Sequence, residues 1–332
     1  MFYRIIKGDR FISAIIIFLI AIVIWAPTFL SLEKVETPGE ITGMPFYVFI
    51  SNLLNDSLLL SHLSTFLLML FAAFLLVRIN ARYILIQQKT FLPALFFIII
   101  TSFSPELHIW NECLPATLFV IFFLDIIFGS YNDEPNTYKI FEAGILLGLG
   151  SLFYLPLVYL LPFIWIAGMV QRPFSWREFI FPILGLLLPY IFVFAILFFT
   201  EKSIPDFLIL MKDQFIFSFD FPHFGWVYLA FLIFLLLLIM MASVYLLKVY
   251  QFRKIYIRDY FMVLFWLFIS ALLIYFLTSG FNTGAAYLIA IPVSYILTNY
   301  FINAKKSLGN KILLYTLLGL SFFLAVSNFF EL

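Results

Sequence analysis

The sequence predicts an all-α, polytopic integral membrane protein of about eleven transmembrane helices, with the N-terminus cytoplasmic and the C-terminus extracytoplasmic. Three observations carry this reading. Of the 332 residues, 64% are hydrophobic and 11% charged, where a soluble domain carries roughly a quarter charged residues; the mean hydropathy is +1.10. Apolar runs recur along the whole chain, many near the ~20 residues that a bilayer crossing needs. The basic residues are distributed between alternate polar breaks, as the positive-inside rule requires. Almost all of the chain is thereby assigned to the bilayer, and residues 1–332 read as one transmembrane domain.

The apolar runs are taken in order. Arg4, Lys7 and Arg10 flank the first, Phe11–Ser31. No small-residue cleavage site follows it, and the run ends in Trp25-Ala26-Pro27, so it reads as an uncleaved span. The others are Leu58–Ile79, Phe91–Phe103, Leu114–Gly129, Ile140–Leu152, Tyr154–Val170, Phe179–Thr200, Trp226–Leu247, Tyr260–Thr278, Ala285–Ile302 and Ile312–Phe330. The runs 91–103 and 140–152 are short, which fits half-helices buried against protein. With the N-terminus inside, 16 of the 19 basic residues fall on the cytoplasmic side, leaving Lys34, Lys202 and Lys212 outside. Eleven acidic residues fall outside with them: Glu33, Glu36, Glu40, Asp56, Glu106, Glu112, Glu201, Asp206, Asp213, Asp220 and Glu331.

Within the spans, Gly144, Gly148 and Gly150 predict close helix approach. Pro156, Pro162, Pro182 and Pro189 predict bends whose freed carbonyls need partners. Trp25, Trp110, Trp165, Trp176 and Trp226 fall near the predicted interfaces, as in an aromatic belt. In the long outer segment 201–225, Ser203 is a helix cap and Pro205 a first-turn residue. Phe207, Leu208, Leu210, Met211 and Phe215 then give one apolar face, which predicts an interfacial helix near 203–217.

The polar chemistry concentrates in two outer loops. Leu32–Ser57 sets Glu33, Glu36, Glu40 and Asp56 against Lys34; it suits chemistry at the membrane surface, and equally a solvated connector. Residues 104–112 pack Glu106, His108, Asn111 and Glu112 into nine positions. If the last part is helical, His108 and Glu112 share a face, and a carboxylate–imidazole–carboxylate group binds a divalent cation or moves a proton. A polar hairpin between two short spans is the alternative. His62 reads as a wetted interfacial residue, and His223 more so. Asp125 and Glu142 are the most membrane-embedded acids; Glu142 has Lys139 three residues before it, whereas Asp125 has no such neighbour. A net charge of +1 argues against a nucleic-acid partner. The single Cys113 excludes an internal disulfide, and three histidines exclude a histidine-rich iron site.

Gly43-Met44-Pro45-Phe46-Tyr47, the apolar run to Asn55-Asp56-Ser57, and the span ending Leu75-Leu76-Val77-Arg78 resemble the first third of the GT-C glycosyltransferases. Ser104-Pro105 followed by Trp110 and Glu112 is similar to the segment after their third span. The resemblance covers residues 1–190, with outer loops 32–57 and 104–113; residues 191–332 are additional spans. It implies a transferase, or a non-catalytic relative, that uses polyprenyl-phosphate sugars at the outer face of a bacterial inner membrane. It implies a carboxylate of the first outer loop (Glu33, Glu36 or Glu40) as base or metal-site residue. This chain has spaced glutamates where that family commonly has an aspartate, often an Asp-Glu pair. The leaving lipid phosphate then falls to Lys34, Lys202 or Lys212. The chain as a whole also resembles an uncharacterised family of Bacteroidota integral membrane proteins. Two other readings stand beside the transferase: a non-enzymatic membrane subunit with protein partners in an envelope assembly or export complex, and a lipid or glycolipid flippase.

Overall fold

The computed structural model describes residues 11–30, 43–54, 57–131, 137–171, 175–201, 203–215, 225–278, 282–304 and 308–330. These form thirteen α-helices and, among the described residues, no strand. In chain order they are α1 (Phe11–Leu30), α2 (Pro45–Leu54), α3 (Leu58–Tyr83), α4 (Leu92–Thr101), α5 (Cys113–Gly129), α6 (Thr137–Ser151), α7 (Leu161–Gln171), α8 (Arg177–Phe199), α9 (Ile204–Asp213), α10 (Trp226–Tyr250), α11 (Ile255–Leu277), α12 (Ala286–Asn303) and α13 (Leu308–Phe330). Each of the eleven apolar runs is helical. Seven of the helices are long and apolar enough to cross a bilayer: α1, α3, α8, α10, α11, α12 with the 3-10 turn before it, and α13.

The other four of the eleven runs (α4, α5, α6, and the 3-10 turn with α7) do not reach across ~30 Å of hydrocarbon alone. All ten residues of α4 are buried. Enclosure by protein, not lipid, surrounds this short element, and the irregular segments at its two ends can bond to protein groups. The run 154–170 is a 3-10 turn, Leu155–Leu160, followed by α7; Pro156 and Pro162 stand at the start of each piece. Pro has no N–H to give, so the chain changes helix type where the two prolines fall.

α12 is the centre of the bundle. It packs against α4, α5, α10 and α11, and it carries fifteen buried residues. The outer helices α1, α8, α10 and α13 present Leu19, Phe192, Leu236 and Phe322 outward, as a lipid-facing surface requires. α6 and α8 form the tightest pair. A Cβ on Gly144 would lie 2.4 Å from the Pro182 carbonyl oxygen, and one on Gly185 2.4 Å from that of Phe141. Close approach is what these glycines supply.

The packing places two polar residues. Asp125 accepts from Arg82 Nη1 at its Oδ2, at 2.7 Å, and the two come from α3 and α5. Trp25 does not stand in an aromatic belt. It is fully buried, and its Nε1 donates to Ser102 Oγ at 2.9 Å. Trp176 and Trp226 are exposed, as a belt position requires. α9 forms where a helix was expected. Ser203 Oγ accepts from Asp206 N at 3.4 Å, and Phe207 is buried against Phe194 of α8. α2 falls inside the stretch expected to be a loop; its ten residues, PFYVFISNLL, hold no charge and dock on the bundle.

The glycine contact is tested by substitution. Gly144→Ala is expected to cost about 1–3 kcal/mol through overpacking, read as a lower melting temperature of the detergent-solubilised protein. Gly319→Ala, with nothing within 4 Å of the added carbon, should be neutral or stabilising by up to about 1 kcal/mol. Equal losses in both would show that the α6–α8 approach is not the constraint.

Candidate functional site

The site is built on residues 102–112, the irregular segment between α4 and α5. Pro105 opens a 3-10 turn, Pro105–His108, and Ile109 leaves it in extended backbone. Inside an apolar bundle, each carbonyl and N–H of such a segment needs a partner. Tyr287 of α12 donates its hydroxyl to the Leu107 carbonyl. His62 Nδ1 bonds to the His108 carbonyl at 2.7 Å, and the Trp110 N–H donates to Ser61 Oγ at 3.4 Å. Asn111 Oδ1 accepts from the N–H groups of Cys113 and Leu114, at 3.1 and 3.0 Å, and so caps α5. His62 is therefore not a wetted residue; it is buried and holds the loop.

The loop sends its side chains two ways. His108 turns inward, against α1. Its ring stacks on Trp25 with centroids 4.1 Å apart, and its Nδ1 hydrogen-bonds with Thr28 Oγ1 at 2.7 Å. Burial pushes its pKa down to about 3, reinforced by His62, while the Ser102 backbone pulls weakly the other way. It is a neutral ring with no carboxylate among its described contacts. The shared face of His108 and Glu112 does not form, because the 3-10 turn stops at His108 and α5 starts at Cys113. Four residues apart gives one face only within a continuous helix.

The two carboxylates turn to the segment before α12. Glu106 is exposed, and its Oε2 accepts from Thr283 Oγ1 at 2.8 Å. Glu112 Oε1 accepts from Asn282 Nδ2 at 3.3 Å. Asn282 is held in that orientation because its Oδ1 already accepts from the Gly284 N–H at 2.8 Å. Gly284 lies directly over Cys113, where an added Cβ would meet Sγ at 2.9 Å.

Glu112 is the centre of the described site. It is half-buried, and burial alone pushes its pKa up to about 7. Tyr47 of α2 and the buried Tyr154 both lie within its electrostatic reach. α2 is brought there by the Phe46 N–H, which donates to the Leu152 carbonyl at 3.3 Å, and by Phe46 packing on Phe153. The end of the first outer stretch thus meets the second at Glu112. Tyr47, Tyr154 and Asn282 were not singled out in the sequence. Tyr47 was quoted only for its resemblance, and nothing local to Asn282 marks it.

Glu33, Lys34, Glu36, Glu40 and Lys202 lie outside the described residues. Lys212 is exposed in the last turn of α9, where a cation meets the carbonyl end of a helix; α9 packs on α8. The described residues hold no group of three His, Cys, Asp or Glu suited to a metal. His108 is turned away, and Glu106 and Glu112 each already take a neutral donor.

Beside the carboxylates, an apolar cleft of about 290 Å³ runs between α4, α10, α11 and α12. Ile100, Leu235, Phe268, Tyr275 and Ile289 line it, and Thr283, the partner of Glu106, stands at its margin. Comparison with family models, with curated proteins and with solved structures finds no match for the chain.

The two buried groups act oppositely on stability. Glu112 has a folded pKa raised above its unfolded value, so the unfolded state binds fewer protons between about 4.5 and 7 and stability falls as pH rises through that window. His108 has a folded pKa lowered to about 3, so stability is lost as pH falls below about 6.5. Glu112→Gln is expected to remove the first slope and to gain on the order of 2 kcal/mol at pH 8. Unfolding measured from pH 5 to 8 checks both limbs; a wild-type profile unchanged by the substitution would refute the raised pKa.

Proposed function

We propose that the protein is a GT-C-like transferase acting on polyprenyl-phosphate-linked sugars, with Glu112 as the base. Its proposed setting is the outer face of a bacterial inner membrane, in an eleven-span topology with the N-terminus cytoplasmic. The observation that carries the reading is the position of Glu112: a half-buried carboxyl with a pKa of about 7, hydrogen-bonded to Asn282, whose neighbour Thr283 lines an apolar cleft of about 290 Å³. A base is most effective when its pKa lies near the working pH. The charge asymmetry of the 19 basic residues supports the topology.

In the proposed step, Glu112 takes the proton of an acceptor hydroxyl as its oxygen bonds to the anomeric carbon. The bond from that carbon to the phosphate oxygen breaks, and its electron pair leaves with the lipid phosphate. Asn282 orients the carboxyl, and Glu106 binds Thr283 at the margin of the cleft. The departing charge needs a cation; Lys34, Lys202 and Lys212 are the outer candidates. Glu33, Glu36 and Glu40 belong to the same proposal as acceptor-side carboxylates.

The test is sugar transfer by the full-length protein in proteoliposomes that hold a polyprenyl-phosphate sugar. Glu112→Gln is expected to reduce transfer at least ~100-fold, and the wild-type rate should rise with pH through about 7. Glu106→Gln should have a smaller effect. Transfer that is indifferent to Glu112→Gln would overturn the assignment of the base, and a wild-type protein inert toward every polyprenyl-phosphate sugar would overturn the reaction class.

A further inference from the structure

A second site lies at the Lys248–Lys254 end of α10, away from Glu112 along the sequence and at the opposite end of α12 from Tyr287. It rests on an uncompensated cation. Arg253, in the turn between α10 and α11, is half-buried. Its Nη2 donates to Asn299 Oδ1 at 3.2 Å, and its Nε is buried without a hydrogen-bond partner. No carboxylate pairs with it among the described residues, and burial draws its pKa below the usual guanidinium range. Beneath it, Asn299 of α12 is fully buried. Its Oδ1 accepts from Asn303 Nδ2 at 2.8 Å as well as from Arg253. The amide orientation is thereby set, and Nδ2 is left as a buried donor without a partner. Two unmet donors and an unneutralised guanidinium ask for an anion with several acceptor oxygens.

The same end of α10 opens to lipid. A groove of about 330 Å³ runs along it, lined by Met240, Met241, Val244, Tyr245 and Lys248. Tyr245 joins the groove to the cation. Its ring packs edge-on against Tyr300 of α12, next to Asn299, with centroids 5.6 Å apart, and its hydroxyl acts electrostatically on Arg253. Lys248, at the end of the groove, is exposed, as is Lys254. An apolar groove that ends at Lys248, with Arg253 and Lys254 five and six residues further along the chain, has the form of a lipid site with an anionic headgroup.

We propose that this end of α10 binds one anionic phospholipid. Its acyl chain lies along Met240, Val244 and Tyr245, and its phosphate sits between Lys248, Arg253 and the Asn299 amide. The headgroup supplies the negative charge that Arg253 lacks, and Lys254 adds long-range attraction.

Native mass spectrometry of the detergent-solubilised full-length protein tests this, with phosphatidylglycerol and phosphatidylcholine of the same acyl chains as probes. One phosphatidylglycerol should be retained at about tenfold lower lipid concentration than phosphatidylcholine. Arg253→Gln should abolish the preference. Lys248→Gln, a surface change that leaves the fold intact, should reduce it several-fold. Val244→Trp should weaken both lipids by filling the groove. Should Arg253→Gln not fold, the other two variants decide. Equal retention of the two lipids, or a preference untouched by Lys248→Gln and Val244→Trp, would overturn the site. Full displacement of phosphatidylglycerol by millimolar glycerol phosphate would overturn the lipid in favour of a soluble anion.

Discussion

The segment 102–112 is irregular backbone held inside an apolar bundle, and the requirement that its backbone polar groups find protein partners governs that end of the molecule. Tyr287 from α12, His62 and Ser61 from α3, and the loop's own Asn111 meet the requirement. A single unpaired backbone group there would cost about 1–3 kcal/mol. These tethers also set direction. With the Leu107 and His108 carbonyls drawn toward α12 and α3, the His108 ring enters the space against Trp25, and the carboxylates of Glu106 and Glu112 are left to the segment before α12.

Desolvation then treats the two sides of the loop differently. It disfavours the charged form of any group, so it lowers a histidine and raises a carboxyl. His108 is held neutral down to about pH 3 and serves as a packing and hydrogen-bonding ring. Glu112 is brought to about 7, where it exchanges a proton near neutrality. The same physics appears at the Lys248 end of α10, where a guanidinium that cannot become neutral is half-buried with no carboxylate paired to it among the described residues. A carboxyl relieves burial by protonation; an arginine needs an anion brought to it.

The tightest contacts lie away from both sites. α6 and α8 approach through Gly144 and Gly185 until backbone meets backbone, and α12 is enclosed by α4, α5, α10 and α11. This buried centre carries Tyr287 and Asn299 toward its opposite ends, so one helix supports the loop tether at one end and the Asn299 amide that binds Arg253 at the other. The lipid-facing helices around it are free to be uniformly apolar.

The amino-acid sequence by itself determined the all-helical membrane class, the positions of the apolar helices, the capped helix at Ser203 and the close approach at Gly144 and Gly148. Each of these follows from hydropathy or from local backbone chemistry, which act over a few neighbouring residues. The concentration of Glu106, His108, Asn111 and Glu112 in nine positions marked residues 104–112, and part of the described site lies there. Only the tertiary structure decided which of those residues meet. Asn282 reaches Glu112 across 170 positions, and His62 reaches His108 across 46. The decision that separated His108 from Glu112 was where a 3-10 turn ended and a helix began, which packing sets and hydropathy does not record. The burial of Trp25 and the docking of α2 have the same origin: a side chain's own character does not say whether lipid, water or another helix will cover it.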